Sequence, residues 1–66
     1  MKTINFGNNL RLLRKSKGLT QEELGAMLGV NKRTISVWET GKCEPSFTLL
    51  AKLCEIFDET FDNILT

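Results

Sequence analysis

The stretch Gln21–Thr40, QEELGAMLGVNKRTISVWET, reads as two short helical patterns joined by a tight turn, and the fold follows from it. Thr20 stands just ahead and Glu23 comes three residues later, the spacing of a capping box in which each side chain satisfies an amide at the helix start. A helix is therefore predicted to begin at Gln21. Leu24 and Leu28 fall four apart on one face, and Gly29 follows the last apolar residue, where a left-handed backbone most easily ends a helix. Val30 is apolar and packs back. Asn31 is a good N-cap for a second helix carrying Ile35, Trp38 and Glu39. Two helices linked by about three residues must cross steeply.

Such a crossing needs a small residue where the axes approach, and Gly25 is better placed for it than Ala26. A glycine there costs the first helix roughly 1 kcal/mol relative to alanine, which points to a packing reason. On the second helix Ile35 and Trp38 face inward. Lys32, Arg33, Ser36 and Val37 then lie on the opposite, solvent side.

Upstream, Phe6, Leu10, Leu13 and Lys17 share one face of a first helix that Gly18 stops, with Leu19 folding back on the core. Gly7, Asn8 and Asn9 are weak helix formers and leave its first turn open. Arg11, Arg14, Lys15 and Lys17 crowd its later part, which suits the negative end of the helix dipole. For Lys15 and Lys17 the plain reading is a solvated face. Arg14 instead sits at the edge of the buried stripe, and Glu39 places a carboxylate at a helix C-terminus, the wrong end for the dipole. Each is better with the other.

Downstream, Gly41 reads as a helix stop, and Ser46, behind Pro45, caps a helix bearing Phe47, Leu50, Leu53, Cys54 and Phe57 at spacings of three and four. That stripe reads as core. Thr60 caps a last short helix with Phe61, Ile64 and Leu65, too short to stand alone. Its apolar side chains either close the protomer core or meet a second copy. The buried set is predicted as Phe6, Leu10, Leu13, Leu19, Leu24, Leu28, Val30, Ile35, Trp38, Leu50, Leu53, Cys54, Phe57 and Ile64. Five helices without a strand pattern give an all-α domain spanning residues 1–66.

The 66 residues, 41% hydrophobic and 26% charged, suit one small soluble domain and neither a membrane span nor disorder. No apolar run between Met1 and Asn9 suggests a signal peptide. Cys43 and Cys54, with no histidine in the chain, exclude the usual zinc spacings, so free thiols and a reducing cytoplasm are expected. No metal, cofactor or small-molecule ligand is implied. Nor is an enzyme: the cysteines have no base beside them, the carboxylates are dispersed, and there is no glycine-rich phosphate loop. The net charge is only +1, but it is unevenly spread. Residues 1–42 hold eight Lys or Arg against three Glu, and residues 43–66 one Lys against five acids, giving +5 and −4. This suits a protein that turns one face to a polyanion.

Leu19-Thr20-Gln21-Glu22-Glu23-Leu24, Leu28-Gly29-Val30, Ile35-Ser36, Trp38-Glu39, Gly41-Lys42 and Pro45-Ser46 together resemble the recurring pattern of the phage repressor and Cro family, the XRE regulators. The likeness runs from Phe6 to Leu65. It implies a compact five-helix domain of the lambda-repressor-like DNA-binding type, with helices 2 and 3 forming the helix-turn-helix. It further implies an internal salt bridge between Arg14 and Glu39, and a two-fold dimer contact through the fifth helix by Phe61, Ile64 and Leu65.

The major groove of B-DNA admits one α-helix, and each base pair there carries its own donor and acceptor pattern. Asn31, Lys32, Arg33, Ser36 and Val37 form the expected base-contacting set. Arg33 can pair two donors with guanine O6 and N7, Val37 suits a thymine methyl, and Lys32 and Asn31 can reach either a base or a phosphate. Phosphate contacts are expected from Thr20, Gln21, Thr34, Thr40, Gly41 and Lys42. Glu44 departs from the family, which often has a further basic residue there. A homodimer reading a palindromic operator follows, because one module reads too few bases to be selective. Leu12 and Met27 offer a second apolar contact. The expected function is a sequence-specific transcriptional regulator, a repressor; the competing one is a protein-binding module such as an antitoxin or adaptor, which Lys32 and Arg33 speak against.

Overall fold

In a computed structural model, which describes residues 5–66, the chain forms five α-helices and, among the described residues, no strand. They are α1 (Phe6–Ser16), α2 (Gln21–Leu28), α3 (Lys32–Glu39), α4 (Phe47–Phe57) and α5 (Phe61–Leu65). The expected domain limits of 1–66 reach four residues beyond that description.

Local chemistry sets the helix starts. Thr20, Asn31, Ser46 and Thr60 all have extended backbones, and each accepts from the amide three residues on: Glu23, Thr34, Leu49 and Asn63. At α2 the box closes both ways, with the Glu23 amide donating to Thr20 Oγ1 at 3.0 Å and the Thr20 amide to Glu23 Oε1 at 2.8 Å. Each such cap contributes about 1 kcal/mol. Gly29 ends α2 in the left-handed region, as expected, whereas α4 ends on a left-handed Asp58, a conformation that a short polar side chain tolerates.

The core takes one wholly buried side chain from every helix: Leu10, Leu24, Ile35, Leu53 and Ile64. Phe6, Leu28, Trp38 and Phe57 complete it, with Leu13, Leu19, Val30, Leu50 and Cys54 partly buried against them. Ile64 is thereby placed in the protomer core, where it has no surface left for a partner. The expected dimer role does not hold for it. Phe47 also departs from expectation: at the first position of α4 it is 73% exposed.

Two glycines fix how close the elements come. A Cβ on Gly25 would lie 2.6 Å from the carbonyl oxygen of Val30 and 3.3 Å from the carbonyl carbon of Asn31. The close approach is therefore between α2 and the backbone of its own following turn, not between two helix axes. Gly7 does the same for α1: a Cβ there would stand 2.7 Å from the carbonyl oxygens of both Trp38 and Glu39. The first turn of α1 thus rests directly on the end of α3. Asn9 ties the same helix to α5, donating through Nδ2 to the carbonyl of Ile64 at 3.1 Å, one of the acceptors a helix end leaves unpaired.

Candidate nucleic-acid interface

α3 is eight residues long, roughly 12 Å, and its two faces are strongly unlike. Ile35 and Trp38 are buried beneath it, while Asn31, Lys32 and Arg33 are exposed at its N-terminal end. Among the described residues, neither Lys32 nor Arg33 makes an ion pair or a side-chain hydrogen bond. Ser36 and Val37, expected in open solvent, are half-buried, so they form the shallow floor of this face.

The orientation of α3 is set by a polar network as well as by the core. Arg14 grips Glu39 two-pronged, Nε donating to Oε2 at 2.7 Å and Nη2 to Oε1 at 3.2 Å. Nη1 of the same guanidinium donates to the carbonyl of Leu19 at 2.7 Å. The hydrogen bond to Glu39 pushes the Arg14 pKa up, against the opposing effect of burial. Gln21 joins from α2, its Nε2 donating to Glu39 Oε1 at 3.1 Å. One carboxylate at the end of α3 therefore holds α1 and α2 together. The Gln21 bond was not expected, because the sequence places Gln21 at a helix start, where a phosphate is the more obvious partner.

The expected phosphate donors are largely spent. The Thr40 amide donates to the carbonyl of Ser36, and its hydroxyl to that of Val37 at 3.0 Å. The Gly41 and Lys42 amides are taken by the carbonyls of Trp38 and Val37. Thr34 spends both its amide and its hydroxyl on Asn31 Oδ1. Of the expected donors, those without a protein partner among the described residues are the ammonium of Lys42 and, at the N-terminal end of α2, the hydroxyl hydrogen of Thr20, the amide of Gln21 and the second Nε2 hydrogen of Gln21. Asn31 keeps its Nδ2 available, since only Oδ1 caps.

Two short helices joined by a tight turn and packed on each other, the second presenting an exposed and cationic edge, define the helix-turn-helix class of DNA-binding domains. A family model described as helix-turn-helix matches residues 10–64. The chain belongs to that family, in its phage-repressor or XRE branch.

Among curated relatives, the HTH-type transcriptional activator BcrR of Enterococcus faecalis is 39% identical over 61 residues, which is 92% of this chain and 30% of that protein. An uncharacterized HTH-type transcriptional regulator of Methanocaldococcus jannaschii, MJ0272, is 39% identical over 57 residues, 86% of each chain. The chain spans 30%, 52% and 56% of the first three such relatives, a part rather than the whole of their length. Among solved structures, the P22 c2 repressor in complex with a synthetic operator superposes with a TM-score of 0.87 at 30% identity, covering 100% of this chain and 97% of that one.

Proposed function

We propose that the chain is a sequence-specific DNA-binding regulator that inserts α3 into the major groove and acts as a repressor. The observation that carries this is the pair Lys32 and Arg33, exposed and, among the described residues, unpaired at the leading end of a helix whose other face is locked into the core. The likeness to the P22 c2 repressor, solved with an operator, supports both the mode and the repressor role. Arg33 is the main base reader, with Asn31 Nδ2, Lys32, Ser36 and Val37 around it. Thr20, the Gln21 amide and Lys42 take the phosphates.

Arg33→Ala is expected to remove about 1–3 kcal/mol of discrimination at one base pair. Selection from a random duplex pool, repeated with the variant, reads this directly. Uniform weakening over all sequences would make Arg33 a phosphate contact. A chain indifferent to duplex DNA at low salt would point instead to the protein-binding reading.

The regulator acts as a two-fold dimer on a palindromic site. Phe47 and Phe61 stack with ring centroids 5.2 Å apart, and they remain 73% and 37% exposed. With Ile64 consumed by the core, this aromatic pair and the half-buried Leu65 make the dimer contact. Phe47→Asp is expected to convert dimer to monomer in sedimentation equilibrium without unfolding, because an acid at the first position of α4 suits the helix dipole. A parent chain that sediments as a monomer at high concentration would rule the contact out.

A further inference from the structure

One cleft is not explained by the contacts above. It lies between α1 and the helix-turn-helix, has a volume of about 260 Å3, and is walled by Arg11, Arg14 and Lys15 of α1, Gln21 of α2, and Ser36, Glu39 and Thr40 on the third side. Its only carboxylate is Glu39, and both oxygens of that group are already held by Arg14 and Gln21. Arg14 and Glu39 therefore cancel. Arg11 and Lys15 remain, both exposed and, among the described residues, paired with no carboxylate. Four residues apart on one helix, their Cβ atoms stand about 5–6 Å from each other on the same face. The result is two unbalanced positive charges over a cleft with a neutralised floor.

We infer that this cleft seats a backbone phosphate of the DNA, clamped between Arg11 and Lys15. The inference rests on the DNA-binding reading and adds two contacting residues from outside the helix-turn-helix. Two cations on long stems lining one cleft suit a compact anion rather than a base edge, and the arginine supplies a two-pronged grip that the lysine does not. The cleft also borders Gln21 at the start of α2 and Thr40 just past the end of α3, so it adjoins both ends of the helix-turn-helix. The need is visible in the same region. Thr40 and Gly41, expected to hold the backbone here, have no free donor hydrogen left in this conformation.

The test is the salt dependence of binding to a selected duplex, measured for the parent chain, for Arg11→Ala with Lys15→Ala, and for Lys17→Ala as an exposed cation of the same region outside the cleft. In the double variant the slope of log affinity against log salt should shrink by about 1, and low-salt affinity should fall about 10-fold by the same factor on every sequence. Lys17→Ala should change the slope far less. Thermal melts should be unchanged for both variants, since the substituted groups are on the surface. An unchanged slope in the double variant, or an equal change from Lys17→Ala, overturns the clamp. If Arg33 still governs base preference in that case, the DNA-binding reading survives alone. A parent chain that ignores duplex DNA overturns both.

Discussion

Glu39→Ala is expected to cost about 3–5 kcal/mol of folding stability, because removing one partner of a buried pair strands the other. The Arg14 and Glu39 side chains are only 11% and 5% exposed. Without the carboxylate, the guanidinium keeps one carbonyl acceptor, Leu19, and loses two charge-assisted bonds, while Gln21 Nε2 loses its partner Glu39 Oε1. A small domain lies near the lower end of the usual 5–15 kcal/mol of stability, so the loss removes much of what there is. Urea unfolding followed by circular dichroism gives the number.

The complementary variant separates two meanings of the result. Arg14→Met combined with Glu39→Leu should recover most of the stability, since apolar replacement of both partners is often neutral. It should not recover the angle of α3. The single carboxylate that ties α1, α2 and α3 would be gone, so base preference is expected to weaken in a chain that folds well. A single-variant loss below about 1 kcal/mol would mean that the pair is solvated in practice.

Ile35→Ala should cost about 2–5 kcal/mol through lost burial and the cavity left behind. Ile35 is the wholly buried side chain that α3 contributes to the core. Its effect on DNA differs in kind from that of Arg33→Ala. The Ile35 variant should bind less at a given temperature only in proportion to its unfolded fraction, keeping the same preferred sequence where it is folded. Arg33→Ala should melt within about 0.5 kcal/mol of the parent and lose its preference at one base pair. Calorimetry or thermal melts alongside pool selection distinguish the two, and an Ile35→Ala chain as stable as the parent would refute the packing described.

The sequence was most legible where structure is local. Thr20 with Glu23, Asn31, Ser46 and Thr60 mark helix starts because capping joins residues three apart, which sequence displays directly. Helical spacing likewise identified the buried stripes. It did not show where a stripe ends: Phe47 has the correct period for the core and lies beyond its edge, because periodicity fixes a direction around the helix and not a depth along it.

Long-range roles were hidden. Gly7 and Asn9 looked only like poor helix formers, yet one lets α1 touch the end of α3 and the other closes onto α5. Gly25 was recognisable as a packing glycine, but its neighbour is the turn backbone rather than another helix. At the candidate interface, residue types were visible and their commitments were not. Thr34, Thr40 and Gln21 carry suitable donors, and the fold has already assigned several of those hydrogens. Lys15 reads as a solvated charge and Arg11 carries no assigned role, because the cleft between them and α2 exists only in three dimensions.

The joining of α1 to α5 bears on how this molecule is made in a cell. Leu10 and Ile64 belong to one core, and Asn9 holds the last turn of a helix only five residues long. A nascent chain still lacking that turn would present an open apolar seam, and its first helix would wait for the last to be synthesised and to leave the ribosome. With synthesis at about 5–20 residues per second, the stretch separating Asn9 from Ile64 takes only seconds to complete.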